Sequence, residues 1–272
     1  MYRVKYANIP NAGDQLNVYI MKRLFHIDIV CADSPLNSDI VGIGSGLDRF
    51  YYDNNFKIRV SQVLHQKTVI HVWGTGYLFE HEEKKHRFFR KMVFHALRGE
   101  LSKKRVEKIT RKTLGAIPLC DGGILTSELF DHRIEKEYEL GIIPHFREQD
   151  EPLFQEMKRI SKKSVLINLC EDPMKVYEKI GSCEYILSSS LHGLIIADSF
   201  HIPNLHIKVS NKPIGDGFKF RDYYSGYGFE ANTVDANIRI PSLNDIIDNY
   251  KIEPSVVEQK KREMYQCFPF KG

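Results

Sequence analysis

Three consecutive serines, Ser188, Ser189 and Ser190, precede Leu191, His192 and Gly193, and an apolar run, Leu194 to Ala197, leads from there to Asp198. The residues before the serines read as a buried strand, and those after Gly193 read as an apolar helix. Hydroxyls, an imidazole and free helix N–H groups therefore converge at the carboxyl end of a strand, where open α/β sheets bind anions. The helix N-terminus can hold a phosphate or carboxylate, and His192, with an ordinary pKa of ~6.5, can give or accept a proton. The same residues are equally accounted for if the serines only cap the helix and His192 packs beside them.

Asp14 follows Gly13 in a loop, Asn11-Ala-Gly-Asp14, that opens a helix, so its carboxylate either caps that helix or faces a cleft. The turns Gly44-Ser-Gly46 and Gly74-Thr-Gly76 let the backbone approach a ligand closely, and neither continues into the full dinucleotide fingerprint. A nicotinamide cofactor is not expected. His145 follows Pro144 at a strand end and either lines the cleft or serves the core. The 11 histidines include no metal-binding helical pair with an adjacent Glu, and no Asp-x-Asp pair suits a cation, so no metal is expected. No Gly-x-Ser-x-Gly elbow and no Cys-His motif supports covalent catalysis.

These residues need a scaffold of repeated βα units. Short β-rich runs are expected at Arg3 to Tyr6, Asp28 to Cys31, Ile40 to Ile43, Val69 to Trp73, Val93 to Leu97, Gly141 to Pro144, Val165 to Leu169, Tyr185 to Ser188 and Asn204 to Ile207. Helical spacing or helix-start chemistry marks Asp14 to Phe25, Gly99 to Leu114, Glu151 to Ser161, Pro173 to Ile180, His192 to Phe200 and Pro254 to Cys267. The alternation makes the chain an α/β protein with parallel sheets. The charged stretch from Ser127 to Glu139 is the expected linker, dividing the chain into residues 1–136, 137–253 and a terminal helix in 254–272 that packs back on the first part.

At 42% hydrophobic and 27% charged residues the chain has the composition of a globular protein. A net charge of +4 does not by itself call for nucleic acid, and none is expected as a partner. Lys84, Lys85, Arg87, Arg90, Lys91, Arg98, Lys103, Lys104, Arg105, Lys108, Arg111 and Lys112 form a basic run against Glu100 and Glu107 alone. It is either a solvated helix face or a surface for anionic headgroups. No run of about 18 apolar residues and no leader pattern occurs, so a cytoplasmic location is expected. Cys31, Cys120, Cys170, Cys183 and Cys267 are scattered without C-x-x-C spacing and are expected to be reduced packing residues.

The block from Ser189 to Pro203 resembles the C-terminal hallmark of the polysaccharide pyruvyl transferases, particularly the branch with succinoglycan-type ketal pyruvyl transferases. Asn11 to Asn17, Ile43 to Gly46, Trp73 to Gly76, Arg98 to Ser102, Asp121 to Leu125 and Ile143 to His145 are similar, in the same order, to further family elements. The resemblance implies two facing Rossmann-like domains of the second major glycosyltransferase architecture, with the site in the cleft between an acceptor side and a donor side. It implies transfer of pyruvate from phosphoenolpyruvate, the donor substrate, to a sugar hydroxyl pair of a lipid-linked oligosaccharide, with no cofactor. His192 takes the catalytic role, as proposed acid, and Asp14 joins it. Arg98, Ser189, Ser190, Gly193, Asn11, Gly76 and His145 take binding roles, Arg98 by bidentate pairing with the donor. Where many members carry an arginine this chain has Ser190, and Lys219 or Arg221 is the expected replacement, unless both are surface charges. A sugar-nucleotide glycosyltransferase of the same architecture and a non-catalytic capsule-assembly protein are the competing readings.

Overall fold

The computed structural model describes residues 1–51, 60, 69–80 and 88–270. Its framework is two five-stranded, wholly parallel sheets. The first contains β1 (Tyr2–Lys5), β2 (Ile29–Cys31), β3 (Ile40–Val41), β4 (Ile70–Trp73) and β5 (Met92–Ala96), in the order β2-β1-β3-β4-β5. The second contains β6 (Tyr138–Ile143), β7 (Ser164–Leu166), β8 (Cys183–Ser188), β9 (Asn204–Lys208) and β10 (Thr233–Asp235), in the order β7-β6-β8-β9-β10. Counted from its own first strand, each sheet has the doubly wound order 2-1-3-4-5 of Rossmann-like and flavodoxin-like folds. Such sheets bind ligands beyond the carboxyl ends of the strands where the winding reverses, which here means β1 with β3 and β6 with β8.

The helices follow from capping and apolar spacing. Helix α1 (Ala12–Arg23) starts where the Asn11 side chain accepts from the Gly13 amide, buries Leu16, Ile20 and Met21, and ends in Lys22 and Arg23, which suit its dipole. Helix α2 (Glu100–Thr110) stops short of the expected Leu114 because Arg111 turns left-handed at φ 54°. The expected Glu151 to Ser161 helix is shorter, α3 (Leu153–Met157), and runs on into a 3-10 turn. Helix α4 (Pro173–Gly181) carries Pro at its start, and α5 (Leu191–Ser199) is buried along nearly its whole length. Helices α6 (Phe218–Ser225) and α7 (Leu243–Asn249), together with β10, lie outside the sequence expectation. β10 is a three-residue edge strand, and α6 begins at Gly217 with a positive φ and shows no clean apolar period.

One apolar cluster joins the two halves, from Val4, Ile40 and Trp73 to Ile143, Ile186 and Leu194, and two further clusters pack Val41, Ile70 and Val72 of the first sheet and Leu140, Leu187 and Leu205 of the second. α5 is apolar on every face because it lies between its own sheet and the 3-10 segment Gly122–Leu129, which packs on α1. The last helix, α8 (Pro254–Gln266), returns to the first sheet, where its Met264 carbonyl accepts from Trp73 Nε1 at 3.0 Å. Cys120 and Cys183 are buried and Cys31 and Cys267 half-buried, but Cys170 is exposed and does not pack. No described helix is long and apolar enough to cross a membrane.

Candidate functional site

The carboxyl ends of the four switch-point strands open into one cavity of about 320 Å³. Beyond β1 and β3 its wall holds Lys5, Tyr6, Asn11, Asp14, Gly44, Ser45 and Arg49. Beyond β6 and β8 it holds His145, Phe146, Arg147, Ser190, Leu191 and His192, and α6 adds Lys219. Two halves with the same winding thus present their ligand-binding ends to the same space.

His192 sits at the first turn of α5 and projects into the opposite half. A Cβ on Gly13 would lie 2.2 Å from its Nδ1, and one on Gly44 would lie 3.5 Å from its Cε1, so two glycines of the first half clasp the ring. Gly44, at φ 100°, needs glycine for its backbone as well. Asp121 fixes this loop by accepting from the Gly44 amide at 3.2 Å and the Gly123 amide at 2.9 Å. Asn17 exchanges hydrogen bonds with both backbone groups of Ile43, at 3.0 Å and 3.3 Å. The Asn11-to-Asn17 segment therefore divides its labour: Asn11 caps, Gly13 clears space, Asp14 faces the cavity and Asn17 anchors the loop.

The charges in the cavity depart from their values in water. Burial, with Lys219 and Arg98 nearby, lowers the His192 pKa to about 3, so the imidazole is neutral near pH 7. The ordinary pKa of ~6.5 expected from the sequence therefore does not hold at this position. Burial raises the Asp14 carboxyl to about 7 in spite of the opposing pull of Arg49 and Lys219. Burial, helped by Arg98, lowers Lys219 to about 8, with Glu148 and Asp14 acting against the shift. His145 falls to about 3 through burial and the charges of Lys219 and Arg147.

Residues 2–211 match the polysaccharide pyruvyl transferase family. The chain belongs to that family. It is also 27% identical over 266 residues to an uncharacterized protein of Acanthamoeba polyphaga mimivirus, with 93% of this chain and 86% of that protein covered. A solved structure of a functionally uncharacterized protein from Klebsiella pneumoniae aligns at a TM-score of 0.46 and 11% identity, covering 86% of this chain and 92% of that one. The pyruvyl transferase match takes in the wall residues of both halves, whereas Ile214 and Lys219 lie beyond it.

The structure brings Asn11, Asp14, His145, Ser190, His192 and Lys219 to the cavity wall and leaves the other expected residues off it. Arg98, from a pyruvyl transferase motif, is fully buried: it donates to Asp222 Oδ2 at 2.9 Å and Ser45 Oγ at 2.7 Å, and to the carbonyls of Tyr77 and Gly44. A guanidinium so committed fastens α6 to the first half and has no fork left for a donor. Gly76 gives room to that ion pair, since a Cβ there would lie 2.5 Å from Asp222 Oδ2 and 2.7 Å from the Arg98 guanidinium carbon. The Gly74-to-Gly76 turn supports the Gly44 turn, to which Thr75 Oγ1 and the Gly76 amide both donate.

Ser189 Oγ accepts from the His145 amide at 2.8 Å and so positions the β6 loop. A Cβ on Gly193 would lie 2.4 Å from Ser188 Oγ, which makes this glycine a packing contact with the sheet. Ser190 occupies the N-cap of α5 without a side-chain capping bond. Arg221 pairs with Glu80 at 2.6 Å on the surface, and Lys219 alone of the two expected replacements reaches the cavity. Sequence reasoning missed Lys5, Arg49 and Arg147; Arg49 follows the Gly44-to-Gly46 turn and Lys5 ends β1, which were the available signals. In the basic run, Arg90 holds the carbonyls of Leu36 and Ser38, and Arg105 stacks on Tyr77 at 3.9 Å, so neither belongs to a free basic surface. Lys84, Lys85 and Arg87 lie outside the described residues.

Proposed function

We propose that the protein transfers pyruvate from phosphoenolpyruvate to two hydroxyls of one hexose, such as galactose or glucose, as a ketal of the succinoglycan type. The observation that carries this reading is the meeting of Lys219, Arg147 and Arg49 with Asp14 and His192 at the facing switch points. A donor with a phosphate and a carboxylate needs several cations, and its vinyl carbon and the sugar hydroxyls need proton donors and acceptors. The first N–H groups of α5 add a partial positive charge at Ser190. In this scheme residues 137–253 hold the donor, residues 1–136 face the acceptor, and Lys219 stands in for the family arginine absent at Ser190. The acceptor is a lipid-linked precursor of a surface polysaccharide, met in the cytoplasm at the membrane face, where exposed Lys104, Arg111 and Lys112 would favour anionic headgroups. No cofactor enters the scheme.

The test incubates purified protein with phosphoenolpyruvate and a panel of lipid-linked and synthetic galactosides and glucosides, following phosphate release and product mass together. Acceptor-dependent phosphate release with the mass gain of a pyruvate ketal is the expected result. Binding of a nucleoside diphosphate sugar with no response to phosphoenolpyruvate would overturn the reading and favour a glycosyltransferase.

A further inference from the structure

Asp14 and His192 reach the cavity from opposite halves and are held differently. The N-cap of α1 is Asn11, so Asp14 is not spent on capping. Its carboxylate makes no hydrogen bond among the described residues and lies on the cavity wall, with Arg49 and Lys219 as the cations that act on it. His192 is fixed by packing alone: Gly13, the residue before Asp14, closes on its Nδ1 edge, and its Nε2 is buried without a partner. One short loop thus seats the imidazole and brings a carboxyl to the same wall.

Resting on the transfer proposed above, we infer that Asp14 and His192 divide the proton transfers, Asp14 giving a proton to the donor and His192 taking a different one from the acceptor. In the first stage the Asp14 carboxylic acid protonates the methylene carbon of phosphoenolpyruvate, making the methyl group. The first sugar hydroxyl then bonds to the neighbouring carbon, and its proton passes to neutral His192. In the second stage the carbon–oxygen bond to phosphate breaks, and the phosphate leaves with the proton from His192. The second hydroxyl closes the ketal and returns its proton to the Asp14 carboxylate. Two hydroxyl protons are lost, one ends on the methyl and one on phosphate, and both side chains regain their starting states.

The environment favours this division over the reverse. A carboxyl raised to about 7 retains much of its proton at neutral pH, whereas an imidazole lowered to about 3 is neutral there and carries no imidazolium proton to give, which leaves Asp14 as the first donor. The groups facing Asp14 are Arg49 from the 3-10 segment Leu47–Phe50 after β3, Lys219 from α6, His192 from α5 and Tyr177 from α4. For His192 they are Lys219, Arg98 and His145.

The test compares wild type with Asp14→Asn and Asp14→Glu in ketal formation from pH 5 to 9, alongside phosphoenolpyruvate binding and thermal melting. Asp14→Asn should bind phosphoenolpyruvate within about threefold of wild type, melt no lower, and lose at least about a hundredfold in kcat. Asp14→Glu should keep measurable turnover with its alkaline limb displaced. Turnover of Asp14→Asn within tenfold of wild type, or an alkaline limb identical in wild type and Asp14→Glu, would overturn the assignment. A wild-type protein that makes no ketal and binds no phosphoenolpyruvate would instead overturn the reading beneath it.

Discussion

Gly13 and His192 lie on helices that follow strands of different sheets, α1 after β1 and α5 after β8, yet a single added Cβ on Gly13 would stand 2.2 Å from the imidazole Nδ1. The neighbouring atoms are the ring and its own Cβ, so the clash cannot be relieved by the far end of a flexible side chain. Gly13→Ala should therefore push the imidazole out of its seat and lower kcat by about a hundredfold, the scale of a misplacement of ~1 Å. Steady-state kinetics with a working acceptor measures this. Wild-type turnover in Gly13→Ala would mean that the seat does not matter.

Arg98 and Asp222 are both fully buried and 2.9 Å apart. Removing one partner of such a pair leaves the other unpaired, at a cost of about 3–5 kcal/mol. Arg98→Met should lower the melting temperature by on the order of 10 °C. A donor-binding arginine would instead raise KM with little change in melting.

Lys219 lies one turn before Asp222 on α6, so the Arg98 anchor also sets where Lys219 points. Lys219→Met should weaken phosphoenolpyruvate binding at least tenfold. Arg221→Ala, which releases Glu80 and the Asp216 carbonyl on the surface, should leave binding and turnover within twofold.

The Asp14 carboxyl is raised from 3.8 to about 7, so the folded state holds its proton more tightly than the unfolded chain does. Its contribution to stability is then fully present below about pH 3.8 and is lost as the pH rises toward about 7. Asp14→Asn does not titrate, so its melting temperature relative to wild type should be higher at pH 8 than at pH 5. A pH-independent difference would show that the carboxyl is not raised.

The fold was legible because parallel strands buried on both faces leave short apolar runs that single residues mark well, as Val69 to Trp73 and Tyr185 to Ser188 do. The site was legible only in part. Asp14, His192 and Lys219 could be chosen by type and motif, but Arg98 carried the same signal for a different duty. Its partner Asp222 stands 124 residues away, and no local spacing announces that pairing. Asp198, in the family hallmark, is another such case: it accepts from Tyr223, Tyr250 and Asn204 in the core and never reaches the cavity. Arg49 lies in a 3-10 segment, Leu47–Phe50, and Arg147 in a turn, neither with an apolar period, and only the meeting of the two halves gives them a common target.

Calorimetric titration of phosphoenolpyruvate into wild type and Lys219→Met asks directly whether the space between the two switch points takes the donor. Saturable binding by wild type is expected, weakened at least tenfold in Lys219→Met and unchanged in Arg221→Ala. Absence of binding to wild type at millimolar donor, or equal binding by Lys219→Met, would contradict it.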